Sequence, residues 1–227
     1  MGCDIHCCVE YKLPSGVWES VGIGYGKGGR DWISCWRKYS GNYFAEDKFE
    51  PRLYEGRNYK LFALLADVRN RDGITPISPP KGLAQDHSSL YSTWVDAFGC
   101  DGHSHSWLTL EELKKAKNTE GLKHQGSGYI HENFYQQFLD SGRKEPNAYC
   151  QGAYGSDTEM VSERDYILGK SAGLRKEGRQ YQIHVTWEKT QDEILDSLSS
   201  TIELMEDLAW KNMLMDSEVR FSFFFDN

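Results

Sequence analysis

This chain predicts an α+β fold on three observations. The first is strict alternation at the start. Cys3, Ile5, Cys7, Val9, Tyr11 and Leu13 fall on one face of an extended segment, with Asp4, His6, Cys8, Glu10 and Lys12 on the other. A period of two marks a strand with one buried face. The second is helical spacing of apolar residues after Asn58 and again after Thr190. The third is the order of elements, which gives a small, mainly antiparallel sheet with helices packed on one face and long decorating loops. We read 1–227 as one such domain, with loop-rich insertions at about 22–56, 70–108 and 118–180.

Taken in order, Pro14-Ser15-Gly16 turns the first strand, and Val17 to Val21 returns as its hairpin partner. Residues 22–30 place glycine at every second position without the Gly-Lys-Ser/Thr ending of a phosphate-cradling loop, which favours a surface loop. A helix is expected over 58–69, capped by Asn58, with Leu61, Leu64, Leu65 and Val68 as its apolar stripe. Residues 73–100 read as a long loop, a feature that usually carries function.

Thr109-Leu110-Glu111-Glu112 is a capping box that opens a short helix. Residues 118–130 read as loop, 132–139 as a short helix and 157–168 as another. The alternation of Ile183, Val185 and Trp187 predicts a strand over 182–188, and Thr190 to Glu193 is a second capping box. The helix it opens carries Ile194, Leu198, Ile202, Met205 and Leu208 on one face. A last strand over 219–225 is expected in one sheet with 3–13 and 182–188.

The net charge of -8 argues against a protein that coats long nucleic acid, which needs many Lys and Arg contacts to phosphate. No run is long and apolar enough for a membrane helix, and the start lacks a signal-peptide pattern, so the expected place is the cytoplasm. The six cysteines form no Cys-x-x-Cys pair, and reduced thiols are expected.

Chemistry concentrates in Asp101-Gly102-His103-Ser104-His105-Ser106-Trp107 and in Cys3-Asp4-Ile5-His6. Alternate residues on a strand lie roughly 6.5–7 Å apart, so Asp4 and His6 are spaced to share a metal ion with His103. Zinc or manganese would suit that donor set. His103, His105 and Asp86 are the candidate proton-transfer groups.

The Asp4-Ile5-His6 start is also how calcineurin-like phosphoesterases begin, but their Gly-Asp-x-x-Asp and Gly-Asn-His segments are missing. His184-Val185-Thr186 matches one half of a two-histidine phosphoesterase pattern, with only His87-Ser88-Ser89 as a second half.

These segments together resemble an uncharacterised family of tailed-phage proteins. The resemblance rests on Met1-Gly2-Cys3-Asp4-Ile5-His6, on Arg57-Asn58-Tyr59-x-Leu61-Phe62-Ala63 and on Val68-Arg69. It extends through Gly82-Leu83-x-x-Asp86, Asp101-x-His103-Ser104-x-Ser106-Trp107-Leu108 and the terminal Phe224 to Asn227. The family pattern has proline after Gly-Leu, where this chain has Ala84.

Its profile implies an accessory protein that counters host defence from the host cytoplasm by acting on a small nucleotide-derived signal. Arg57, Tyr59, Arg69, Lys81, Ser106 and Trp107 are the candidate groups for such an anionic, ring-bearing ligand. Two readings stay open, a metal- or His-assisted phosphodiesterase and a non-catalytic sponge. A protein-interaction or virion-associated role is third, and homo-oligomers are compatible with all of them.

Overall fold

The computed structural model describes residues 2–21, 25–26, 29–30, 54, 56–119, 121–150, 152, 157–173 and 178–226. In chain order the strands begin with β1 (Asp4–Lys12), β2 (Trp18–Val21), β3 (Tyr25–Gly26), β4 (Gly29–Arg30) and β5 (His103–Thr109). They continue with β6 (Lys123–His131), β7 (Thr158–Ser162), β8 (Gln180–Thr190) and β9 (Val219–Asp226). The α-helices are α1 (Tyr59–Ala66), α2 (Ser89–Phe98), α3 (Leu110–Lys117), α4 (Tyr135–Asp140), α5 (Glu163–Ser171), α6 (Gln191–Leu195) and α7 (Ser199–Asn212). The result is an α+β fold, and its described residues group into two compact units, 1–120 with 192–227, and 121–191. No helix among them is long and apolar enough to cross a membrane.

The first unit is organised by β9. It pairs antiparallel with β1 on one side and β5 on the other, in the order β2-β1-β9-β5. A strand flanked on both sides and covered on both faces is buried along its length, and Val-Arg-Phe-Ser-Phe-Phe-Phe is so buried, apolar on one face and carrying Arg220 and Ser222 beside Phe224 on the other. Val219, Phe221, Phe223 and Phe225 share one face with Ile5, Cys7 and Val9, and α1, α3 and α7 cover it. Burying each such side chain contributes about 1.5–3 kcal/mol.

The helices start where local chemistry satisfies their free N–H groups. The Asn58 side chain accepts from the Leu61 N–H, Ser88 from Tyr91, and Thr109 and Glu112 form the reciprocal capping box.

The expected helical layer is therefore present, and α2 adds cover on the opposite face. Tyr91, Val95 and Phe98 of α2 pack on Cys8 and Phe224 there. This helix lies inside the stretch 73–100 that reads as loop, because Ser and Thr dilute its apolar spacing. The second unit is a three-stranded sheet, order β6-β8-β7, with β6 antiparallel and β7 parallel to β8.

Three expectations change here. Residues 123–131 form a strand where loop is expected, since Gly126 and Gly128 mask its alternation. The expected helix over 157–168 divides into β7 and α5 at the Ser162 cap. The 182–188 strand does not join β1 and β9, because its register partners are β6 and β7. The glycine-rich stretch 22–30 lies mostly outside the described residues, which include only the short β3–β4 ladder.

Candidate functional site

The end of the first sheet, where β1 begins and β9 finishes, collects most of the sequence motifs. Asp4 and Asp226 are register partners, as are His6 and Phe224. Arg57 grips Asp4 with two hydrogen bonds, from Nε to Oδ1 at 2.5 Å and from Nη2 to Oδ2 at 2.7 Å. A side chain at Gly2 would press on that guanidinium, so glycine leaves room for its approach. The Cys3 N–H donates to the Tyr59 hydroxyl at 3.3 Å. Burial pushes the Cys3 thiol pKa up, and a hydrogen bond from Arg69 opposes that shift. The Cys3 thiol is accordingly suited to packing rather than nucleophilic attack.

His6 Nε2 lies 3.4 Å from Asp226 Oδ2, and its ring stacks on Phe224 at 5.0 Å and meets Phe98 at 4.2 Å. From the opposite neighbouring strand, His105 reaches Phe224 at 5.2 Å. His6 and His105 therefore meet the same ring from strands whose backbones are roughly 10 Å apart. Burial lowers the pKa of His105, partly offset by the Gly102 backbone, which favours a neutral imidazole near neutral pH. Gly102 lets this loop close on the rings, since a methyl there would sit 3.3 Å from Phe224 and 3.4 Å from Phe98.

His103 goes elsewhere. The sequence spacing predicts His103 and His105 on one face, but β5 is irregular between His103 and Ser106. The three-residue step from His103 to Ser106 faces a two-residue step from Phe225 to Phe223, and Ser104 takes a left-handed φ of 52°. The extra residue of this bulge reverses the facing of the strand beyond it. His103 pairs with Phe225 of the core face and stacks on it at 6.2 Å, with Ser104 Oγ 3.0 Å from its Nδ1. Thus His105, not His103, joins His6. Among the described residues no group of three or more His, Cys, Asp or Glu side chains is arranged to hold a metal ion.

The remaining expected residues form a second cluster farther along the same sheet. Arg220 lies four residues from Phe224 on β9, roughly 13 Å away along the strand. Its Nε donates to Glu10 at 2.8 Å and its Nη1 to Asp86 at 2.7 Å. Glu10 is fully buried and also accepts from Ser222 at 2.6 Å and from the Ser88 N–H at 2.7 Å. Trp18 Nε1 donates to the other Asp86 oxygen at 2.8 Å. Arg220 holds the Asp86 pKa below the usual carboxylate value, which makes Asp86 a poor proton acceptor.

The Arg220 guanidinium lies 3.9 Å from the Trp18 ring and 5.6 Å from Trp107, and Lys81 Nζ lies 3.9 Å from Trp107. Lys81 also pairs with Glu112 at 2.6 Å, and its N–H donates to Ser106 at 3.1 Å. Glu10 and Arg220 are both buried, so their mutual bonds offset part of the cost of taking two charges out of water.

Lys81, Ser106, Trp107 and Asp86 thus belong to this network, whereas Arg57, Tyr59 and Arg69 gather at the imidazole end. His184 lies on β8 of the second unit against Tyr129 at 4.9 Å, and His87 precedes α2 in the first. Sequence reasoning misses Glu10 and Asp226, although Glu10 does stand on the polar face of the first strand; Arg220, which the sequence offers as a further cation for phosphate, is committed instead to Glu10 and Asp86. Compared with protein-family models, curated proteins and solved structures, the chain matches none.

Proposed function

We propose that the imidazole end of the first sheet binds a small anionic, ring-bearing molecule, a nucleotide-derived signal, and handles protons in opening its phosphodiester. The observation that carries this reading is the meeting of His6 and His105 on Phe224 beside the Arg57–Asp4 pair. A neutral, half-buried imidazole at His105 suits a general base. Asp226 Oδ2 lies 3.4 Å from His6 Nε2, where its charge would stabilise an imidazolium that forms there. Arg57 is an exposed cation at this end and offers a planar fork to phosphate once it exchanges Asp4 for the ligand. With the resemblance to a tailed-phage family, the role is that of an accessory protein that counters host defence in the host cytoplasm.

The test is a melting experiment with cyclic dinucleotides and ADP-ribose. A ligand at a hundred times its Kd stabilises the folded state by about 2.7 kcal/mol. The wild type is expected to show such a shift, and His105→Ala with Arg57→Ala is expected to lose it. Nucleotide recovered after heat denaturation then separates hydrolysis from sequestration: a linear product means an enzyme, and intact ligand means a sponge.

A further inference from the structure

We infer that the second unit carries a ligand site of its own, a groove that takes a planar heterocycle with an anionic group, the chemistry of a nucleoside monophosphate. The groove, about 550 Å³, is lined by α4, the preceding Phe134 and the chain from Ser141 to Ala148. Small-molecule sites span about 300–1,000 Å³.

Its aromatic wall is unevenly covered. Phe138 belongs to the unit's core, whereas Phe134 keeps half of its surface open at 50%. An open ring of this kind is a stacking face, and a planar heterocycle is the partner that uses it best. Gln137 and Asn147 also line the groove, and each side-chain amide combines an acceptor with two donors. That combination suits a heterocycle edge that carries both kinds of group.

Charge selects the third part of the ligand. Glu145 is compensated by Lys189 at 2.6 Å, and the adjacent Arg143 is taken by Glu163 at 2.6 Å. Lys144 is exposed, lines the groove and has no ion-pair partner among the described residues. The groove therefore presents one uncompensated cation beside a stacking face, which complements a monophosphate. This inference is independent of the imidazole-end reading, because every residue it uses lies in the second unit.

The experiment is calorimetric titration of the full chain with AMP and with adenosine. AMP is expected to bind the wild type, and Lys144→Ala to weaken AMP about tenfold while leaving adenosine unchanged. Phe134→Ala is expected to weaken both ligands about tenfold. Both substitutions are at exposed positions, and circular dichroism checks that the variants remain folded. Three results would overturn the inference: no AMP binding, AMP affinity that neither substitution changes, or a Lys144→Ala effect equal for AMP and adenosine. AMP binding that disappears in His105→Ala but survives in Lys144→Ala would place the ligand at the imidazole end and overturn it as well.

Discussion

His105 packs on Phe224 with ring centroids 5.2 Å apart, on the same ring that His6 stacks against at 5.0 Å. This burial has a pH signature. The His105 pKa lies below its ordinary value of 6.5, so in the window just below 6.5 the unfolded chain binds the proton more readily. Its contribution to stability is complete above about 6.5 and is lost as pH falls through the lowered value. Chemical denaturation across this range should show the wild type weakening toward acid, and His105→Gln should flatten that slope. An unchanged slope would mean that the ring is not desolvated as described.

The Glu10–Arg220 pair should behave as a structural keystone of the sheet. Arg220→Ala strands the fully buried Glu10 carboxylate, and removing one partner of such a pair costs about 3–5 kcal/mol. Ser222→Ala removes one hydroxyl donor to the same buried carboxylate and should cost less, about 1.5–3 kcal/mol. Urea unfolding measures both, and similar losses for the two variants would contradict the assignment.

Ile202 of α7 is 4% exposed in the main core. Ile202→Ala should cost about 2–5 kcal/mol, as large-to-small core changes do. A loss below about 1 kcal/mol would make α7 peripheral, against its packing on the sheet.

Arg57 and Asp4 form an exposed pair, with side chains 57% and 45% accessible, so Arg57→Ala should barely move the unfolding midpoint. Its effect should appear in ligand affinity, weakened about tenfold or more. A variant that loses stability without losing affinity would reverse the proposed role of Arg57.

Physical range decides how much of this was legible in the sequence. The alternation of residues 3–13, the Asn58 cap and the Thr109–Glu112 box are local, and each appears in the structure within a few residues. The expected approach of Asp4 and His6 to His103 was legible only in part: β1 and β5 flank the same strand, and it is His6 and His105 that reach the one Phe224 ring from its two sides. The face of each imidazole was not legible. It depends on a single extra residue at Ser104, and such a bulge has no periodic signature. Glu10 and Arg220 are 210 positions apart, and pairing over that range is a property of topology rather than of any window of sequence. The strand over 123–131 was hidden by its glycines, and with it the separate sheet that claims β8.

The most direct test of the central claim, that His6 and His105 form one site while His103 stands apart, is imidazole NMR of the full chain during titration with a cyclic dinucleotide. The account predicts that the His6 and His105 ring signals move together along one binding curve, with those of His103, His124 and His184 moving far less. Ring signals of His6 and His105 that stay still, or that trace two different curves, would contradict it.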